Sequence, residues 1–244
     1  MKIIVCIKQV PDTTEVKLDP KTGRLIRDGV PSIINPDDKN ALEEALRIKD
    51  ENPDTTVTVV SMGPPQADVA MREALAMGAD EAILISGREF GGSDTWATSY
   101  IIATAIKKIP DYDIIFCGRQ AIDGDTAQVG PQIAEQLNIP QITYVQKLDI
   151  EGDKVIVQRQ LEDGYTVVEA KMPVLLTAIK ELNTPRYMTP KGIFEAYNKT
   201  VQVWGFNDVP VDAEKIGLKG SPTNVNRTFS PEAKGKGIML EGAD

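Results

Sequence analysis

The sequence predicts an α/β fold in which a doubly wound parallel sheet carries helices on both faces. Three observations support this prediction. Short runs of β-branched and other apolar residues recur along the first half of the chain, segments with helical spacing separate them, and the two alternate through four cycles. Such alternation favours right-handed strand–helix–strand units and therefore one mostly parallel sheet.

The predicted core strands are uninterrupted apolar runs, as expected for strands that are covered on both faces. They occupy residues 3–10, 57–61, 82–86 and 113–117. Apolar residues at intervals of three and four predict helices at residues 37–49, 66–77 and 94–108. Gly78 directly follows the second helix, where glycine is typical of a helix C-terminus.

Two regions interrupt the alternation. Residues 11–36 are too long for an ordinary connection, and the short apolar runs at residues 16–18 and 25–27 predict a small hairpin there. From residue 141 to residue 179, apolar and polar residues alternate, which predicts antiparallel hairpins attached to the parallel core.

The composition excludes several classes of function. The chain has 27 basic and 36 acidic residues, a net charge of -9, which argues against general affinity for nucleic acid or anionic membranes. It has no histidine, so a hydrolytic triad that uses histidine is excluded. Its two cysteines, Cys6 and Cys117, form no C-x-x-C motif that could hold zinc.

The distribution of apolar residues predicts where the protein resides. No apolar stretch approaches the ~20 residues needed to cross a bilayer. Lys8 interrupts the N-terminal apolar run too early for a secretion signal. We therefore expect a cytoplasmic protein with no membrane span, in which both thiols stay reduced.

The most informative segment, residues 118–131, follows the fourth predicted core strand. Ligands of open α/β sheets bind at the carboxyl ends of strands, where helix amides face an anion. Gly118 and Gly124 are expected to let the backbone approach a ligand closely, and Arg119 supplies positive charge. Thr126 is expected to cap the following helix, and Thr126 and Gln128 could donate to phosphate oxygens. Main-chain amides would thus hold a nucleotide diphosphate.

The same segment has a simpler interpretation, which the residues leave open. It could be a glycine-rich connection that carries two solvated carboxylates, Asp123 and Asp125. An Asp-x-Asp pattern can suggest magnesium, but acidic residues before a helix commonly complement its dipole, so no metal is predicted. The G-x-x-x-x-G-K-[ST] motif of nucleotide-hydrolysing enzymes is absent.

Residues 118–123, continued by Gln128 and Gly130, resemble the adenine-nucleotide loop of electron-transfer flavoprotein beta subunits. Further matches follow in order over roughly the first two hundred residues. They are residues 5–12, Asn35 with Pro36, residues 74–80, and the motif formed by Val157, Arg159, residues 162–164, residues 171–173 and Thr177. The resemblance implies a Rossmann-like fold of the adenine-nucleotide-binding type and a partner alpha subunit that carries its own FAD.

Two versions of this family differ in what the beta subunit holds. In simple carriers it holds AMP as a structural ligand. In electron-bifurcating versions it holds a second FAD, which accepts hydride from NADH. One electron then passes through the alpha-subunit FAD to an acyl-CoA dehydrogenase, and the other passes to ferredoxin or flavodoxin. Small side chains at Gly124, Thr126, Ala127 and Val129 favour FAD, and AMP remains the alternative.

The resemblance also implies the cofactor contacts. Cys6, Ile7 and Asn35 would border the adenine and ribose, with Met62 near the same pocket. The phosphates would bind along Gly118, Arg119, Gln120, Ala121, Asp123, Gly124, Asp125, Thr126, Ala127, Gln128 and Val129. Cys6 and Ile7 could instead be core residues, Met62 a gap filler and Asn35 a helix cap. No residue is expected to be catalytic, because a flavin itself carries out hydride and electron transfer.

Pro185, Arg186 and Tyr187 resemble the start of the family's partner-recognition loop. The leucine anchor of that loop falls on Pro190 here, so Ile193 or Phe194 is expected to replace it. The chain therefore divides into residues 1–182, a nucleotide-binding domain with a hairpin extension, and residues 183–244, a partner-recognition loop and C-terminal arm. A stand-alone adenine-nucleotide sensor is the alternative from another class, and the loop and polar tail disfavour it.

Overall fold

The computed structural model describes residues 1–12 and 31–226, together with the isolated glycines Gly235, Gly237 and Gly242. The hairpin predicted at residues 16–27 lies outside these residues. No helix in the described ranges is long and apolar enough to cross a membrane.

Strands and helices alternate through the first half of the chain. They are β1 (Lys2–Cys6), β2 (Gln9–Pro11), β3 (Ser32–Ile34), α1 (Pro36–Glu51), β4 (Thr56–Met62), α2 (Asp68–Met77), β5 (Glu81–Ile85), α3 (Thr95–Ile106), β6 (Ile114–Gly118) and α4 (Val129–Leu137). The second half contains β7 (Gln141–Glu151), β8 (Lys154–Gln160), β9 (Tyr165–Lys171), β10 (Val174–Ala178), α5 (Pro190–Asn198), β11 (Val201–Trp204) and α6 (Gly217–Gly220). The predicted helices are confirmed, and Gly78 ends α2 with a φ of 132°.

Nine strands form one sheet in the order β11-β5-β4-β1-β6-β10-β7-β8-β9. In this order, each pair of adjacent strands from β11 to β7 runs parallel. Strands β8 and β9 add an antiparallel hairpin at the β7 edge. Helices α1, α2 and α5 contribute to the core on one face, and α3 and α4 contribute to the core on the other. The doubly wound sheet and its hairpin extension are therefore confirmed.

The direction of winding reverses between β1 and β6. The chain first adds β4 and then β5 on one side of β1, and it returns through α3 to place β6 on the other side. In open α/β sheets, the crevice beyond the carboxyl ends of the strands at such a reversal is the usual ligand site. The loop that follows β6 begins at this crevice.

The first predicted strand is shorter than its apolar run suggests. Strand β1 ends at Cys6, and residues 9–11 pair with β3 in a separate two-stranded sheet. The amide of Ile7 still bonds to the Val60 carbonyl, but the amide of Lys8 bonds to the Asp38 carboxylate instead of a strand. The chain leaves the main sheet at that point because a side chain replaces the neighbouring strand.

Two strands of the main sheet differ from the prediction. The sequence predicts β10 as part of the antiparallel hairpins, but it lies between β6 and β7 in the parallel core, and all five of its residues are buried. Strand β11 was not predicted. It pairs in parallel with β5 at the sheet edge, and its burial is one-sided, so its sequence lacks the apolar run of a core strand.

Candidate functional site

The candidate site lies at the carboxyl ends of β1, β4 and β6. The end of β1 is buried: the side chains of Cys6 and Ile7 pack into the cores on opposite faces of the sheet. Only the backbone of these two residues is therefore placed to meet a ligand. Met62, at the end of β4, is half-buried and faces a cavity.

Asn35 connects the start of α1 to the loop after β6. Its side chain is fully buried and makes no capping hydrogen bond, although the residue occupies the N-cap position of α1. Instead, Nδ2 donates to the Gln120 carbonyl at 2.8 Å, and the Ile122 amide donates to Oδ1 at 3.0 Å. The interpretation of Asn35 as a helix cap is therefore wrong, because its side chain fixes the shape of the loop.

Glycine is required at position 118 because the backbone there lies in close contact with Asp38. A Cβ atom at this position would lie 2.2 Å from Oδ1 of Asp38. A Cβ at Gly124, in contrast, would meet no atom within 4 Å. The expectation that Gly118 makes room for a ligand is therefore corrected: Gly118 makes room for the carboxylate of Asp38, and the space lies at Gly124.

The charged side chains of the loop are paired within the protein. Nζ of Lys8 lies 2.6 Å from Oδ1 of Asp123, and Nε2 of Gln120 donates to Oδ1 of Asp125 at 2.9 Å. Nε of Arg119 lies 3.3 Å from a carboxylate oxygen of Asp37, so its positive charge is partly neutralised. Among the described residues, no three cysteine or acidic side chains are grouped as metal ligands.

The backbone of the loop is strained in the stretch that leads into α4. Asp125 and Ala127 have φ values of 50° and 52°, in the left-handed region that non-glycine residues rarely adopt. Gln128 then returns to a right-handed conformation. Alternation of this kind makes a concave row of N–H groups that suits an anion. Strained residues of this type cluster at ligand sites, because the surrounding structure must compensate for their cost.

Several amides of this row have no partner within the described part of the chain. The amides of Thr126, Ala127 and Gln128 donate to no protein acceptor there. Helix α4 begins at Val129 rather than after Thr126, and no side chain caps it. The prediction that Thr126 is the cap is therefore wrong. Its side chain is exposed beside the free amides.

A second helix begins beside the same amides. The hydroxyl of Thr95, the first residue of α3, donates to Oε1 of Gln128 at 3.0 Å. The N-termini of α3 and α4 thus lie together. The Asp94 carboxylate caps α3 by accepting from the Ala97 amide, whereas α4 has no side-chain cap and leaves the positive end of its dipole available. No local pattern in the sequence marks Thr95 as a site residue, since its contact with Gln128 joins residues that are far apart in the chain.

A cavity of about 820 Å³ opens beside Met62 at the ends of β4 and β5. Its lining is mostly apolar and glycine-rich, and it consists of Met62, Gly63, Pro64, Pro65, Ile85, Ser86, Gly87, Arg88, Phe90, Gly91, Gly92, Ser93 and Val203. Apart from Met62, none of these residues was predicted. The segment from Gly87 to Ser93 carries only a weak signal, a cluster of glycines after a predicted strand.

The predicted partner-binding residues lie on α5 and the segment before it. Tyr187 and Phe194 are 95% and 76% exposed, and Ile193 is exposed beside them. Pro190 is the first residue of α5, and Pro185 is half-buried. Tyr197 and Met188, which were not predicted, extend the exposed apolar surface.

Arg186 serves a different purpose from its neighbours. It binds Glu43 through its backbone amide and its guanidinium group, at 2.9 Å and 3.0 Å, and it also reaches Asp50 at 2.7 Å. Glu43 and Asp50 both lie on α1. Arg186 thus fastens the segment before α5 to the domain.

Doubly wound α/β proteins form a class that binds ligands where the direction of winding reverses, and at this point the described residues leave amides without a protein acceptor. Comparison with known proteins narrows this class. A family model described as "Electron transfer flavoprotein domain" matches residues 22–209. The chain belongs to the electron-transfer flavoprotein family, in its beta-subunit branch.

Three relatives match almost the whole chain. An electron transfer flavoprotein subunit beta from Thermoanaerobacterium thermosaccharolyticum is 64% identical, covering 99% of this chain and 93% of the relative. The caffeyl-CoA reductase-Etf complex subunit CarD of Acetobacterium woodii is 60% identical, with 99% and 92% coverage. The acryloyl-CoA reductase electron transfer subunit gamma of Anaerotignum propionicum is 54% identical, with 100% and 94% coverage.

Proposed function

We propose that this chain binds FAD at the carboxyl edge of its sheet and acts as one half of an electron-transferring heterodimer with an alpha subunit. FAD held there would supply the chemistry for taking a hydride from NADH. The complex would then deliver one electron through the alpha-subunit FAD to an acyl-CoA dehydrogenase and the other to ferredoxin or flavodoxin. The observation that carries this proposal is that the amides from Thr126 to Gln128 have no acceptor among the residues that the structure describes.

The loop suits the diphosphate of a dinucleotide in three respects. Within the described part of the chain its amides have no protein acceptor, the uncapped N-terminus of α4 points toward it, and Ala127 keeps a strained conformation that alanine does not favour by itself. No side chain extends from Gly124 into the open space there. A group with two phosphates can therefore lie along the row without displacing a side chain.

The cavity beside Met62 supports FAD over AMP. AMP needs room only for one adenosine and one phosphate, whereas FAD also brings a second phosphate, a ribityl chain and a three-ring flavin. A mostly apolar space of about 820 Å³ is of the size that cofactor pockets have. We propose that the flavin end occupies this space and that the adenine lies near Asn35 and the end of β1.

The protein's own contribution is to bind and orient. FAD, when bound, supplies the hydride and electron chemistry. The amides of the loop hold its phosphates, and Asn35 fixes the loop that carries them. The apolar lining of the cavity would pack against the flavin end. Lys8 and Arg119 place positive charge near the phosphates, although each already pairs with a carboxylate.

We propose that the exposed apolar surface of Tyr187, Met188, Ile193, Phe194 and Tyr197 docks an acyl-CoA dehydrogenase. Contiguous exposed apolar residues of this kind mark protein interfaces. The printed names of two relatives, a caffeyl-CoA reductase-Etf complex subunit and an acryloyl-CoA reductase electron transfer subunit, support a partner that acts on acyl-CoA compounds. Ile193 and Phe194 would provide the anchor that Pro190 cannot.

The test is to co-express the chain with its alpha subunit, purify the complex without added nucleotide and extract the cofactors. We expect a stable heterodimer that releases close to two FAD. One FAD and one AMP would instead support the simple carrier. A chain that stays alone in size-exclusion chromatography, with bound ATP or AMP, would support the sensor.

A further inference from the structure

The C-terminal part of the chain crosses a loop that lines the cavity beside Met62. This glycine-rich loop, residues 87–93, contains three glycines and supplies much of the cavity wall. Residues 212–223, here called the strap, include α6 and lie against the loop. In the described part of the chain, no strap residue lines the cavity. The strap therefore supports the loop from outside the cavity.

The strap and the glycine-rich loop are in close contact at Gly217. A Cβ atom at this position would lie 2.4 Å from the carbonyl oxygen of Glu89, and its φ of 61° is one that glycine adopts without strain. The amide of Gly217 donates to Oγ of Ser93 at 3.0 Å, and that hydroxyl donates to the carbonyl of Phe90 at 2.8 Å. The strap thus contacts the backbone of the loop at one point and binds a side chain that holds the loop at another.

Asp94 directly follows the loop and joins the strap to the start of α3. Its Oδ1 accepts from the Ala97 amide at 3.0 Å and caps the helix. Its Oδ2 accepts from both the amide and the hydroxyl of Thr223, at 2.9 Å and 2.8 Å. The amide of Asp94 donates to Oγ of Ser221 at 2.8 Å, and this buried hydroxyl donates to the Gly217 carbonyl at 2.7 Å. Asp94 therefore binds the strap through its backbone and its side chain together.

We propose that the strap positions the glycine-rich loop for the flavin end of FAD, with Asp94, Ser221 and Thr223 as the positioning residues. The inference rests on the proposed function, because it depends on the flavin end lying in the cavity. Glycine loses more backbone freedom on ordering than any other residue, so a loop with three glycines is costly to order. The strap orders the loop when the chain folds, and the cofactor then binds a wall that is already in place.

Comparing FAD with AMP separates positioning from a general loss of structure, because AMP has no flavin end to place in the cavity. Ser221→Ala removes the acceptor of the Asp94 amide. Asp94→Asn keeps one oxygen to cap α3 but presents an NH₂ group to Thr223, whose amide then loses its acceptor. Ser99→Ala is the matched control, because Ser99 is a buried serine of α3 whose hydroxyl donates to the Trp96 carbonyl of the same helix.

Calorimetric titration measures both affinities in the heterodimer, after dialysis has removed the nucleotide of this subunit. We expect the Kd for FAD to increase about tenfold in Ser221→Ala and in Asp94→Asn, while the Kd for AMP stays unchanged. The control Ser99→Ala should keep the wild-type ratio of the two Kd values. A Kd for AMP that increases as much as the Kd for FAD would mean that the strap only stabilises the fold, and it would overturn the inference.

Hydrogen exchange in the wild-type heterodimer gives a second result, which needs no variant. The amide of Asp94 donates to the strap, and the amide of Gly217 donates to the loop. If the strap holds the loop, the two segments open together, and the protection factors of these amides should agree within about tenfold. A larger difference would show that the strap and the loop open separately, and it would overturn the inference.

The inference and the proposed function fail in different ways. A wild-type heterodimer that binds AMP but not FAD would refute the proposed function, and with it the role of the strap toward a flavin. If the wild-type heterodimer binds FAD and both variants bind it equally tightly, only the role of the strap is refuted.

Discussion

At the scale of single residues, the candidate site depends on buried side chains that contact the backbone of other elements. Asp38 and Asn35 together make four hydrogen bonds to main-chain groups of the strand ends and the loop. Neither side chain needs to touch a ligand for the loop to depend on it. Replacing a loop residue and replacing one of these supports should therefore have similar effects on nucleotide binding.

Gly118→Ala tests the close approach to Asp38. The new methyl group would lie 2.2 Å from the carboxylate and 2.6 Å from the backbone of Asp38, so α1 or β6 must move. We expect the free energy of unfolding, measured by urea denaturation, to fall by about 3 kcal/mol. Gly164→Ala is the matched control, because its methyl group would meet no atom within 4 Å. Equal stability of the two variants would show that the contact is looser than described.

At the scale of elements, α5 is held rigidly against α2 and exposes its apolar side. A Cβ at Gly192 would lie 2.3 Å from the Ala76 carbonyl, so the two helices are in close contact. The guanidinium group of Arg72 donates to the carbonyls of Ala196 and Lys199, both at 2.7 Å, and satisfies the end of α5. A rigid apolar surface loses little entropy on binding, which favours a docking role.

Phe194→Ala tests this surface. The side chain is 76% exposed, so its removal should leave the thermal midpoint of unfolding unchanged. If Phe194 is an anchor, the KM of the heterodimer for an acyl-CoA dehydrogenase should increase about tenfold, with little change in kcat. Val225→Ala removes another exposed apolar side chain, outside α5, and should change neither constant. An unchanged KM for Phe194→Ala would place docking elsewhere.

At the scale of the whole molecule, buried carboxylates make stability depend on pH. Burial raises the pKa of Asp37 and Glu44 above the usual values, and it raises the pKa of Asp38 to about 7. The folded state therefore binds these protons more tightly than the unfolded state does. The free energy of unfolding should fall as the pH rises from about 4 to about 7, by on the order of 4 kcal/mol for Asp38 alone.

Chemical denaturation at several pH values measures this dependence. The wild-type protein should be less stable at about pH 8 than at about pH 5, and Asp38→Asn should show a smaller decrease. A wild-type stability that increases over this interval would contradict the prediction. It would mean that the ion pairs of exposed carboxylates affect the pH dependence of stability more than the buried carboxylates do.

Much of the fold follows from local patterns in the sequence. The runs at β4, β5 and β6 are continuous because both faces of these strands are covered, and the apolar residues of α1 to α3 recur at helical spacing because they pack against the sheet. Strand β10 has the same continuous pattern, but it directly follows the alternating hairpins, so the sequence pattern predicts that it belongs to them. Strand β11 is half-exposed at the sheet edge, so its residues carry no such pattern.

By itself, the sequence determined the class of fold, the family and the position of the loop after β6, because these depend on residues that are close together in the chain. Only the tertiary structure decided how that loop is held. The carboxylate of Asp38 meets the amide of Gly118 across 80 residues of sequence, and the Asn35 side chain meets the Ile122 amide across 87. Contacts of this kind leave no local pattern, because each partner separately resembles an ordinary residue near a helix start or a strand end.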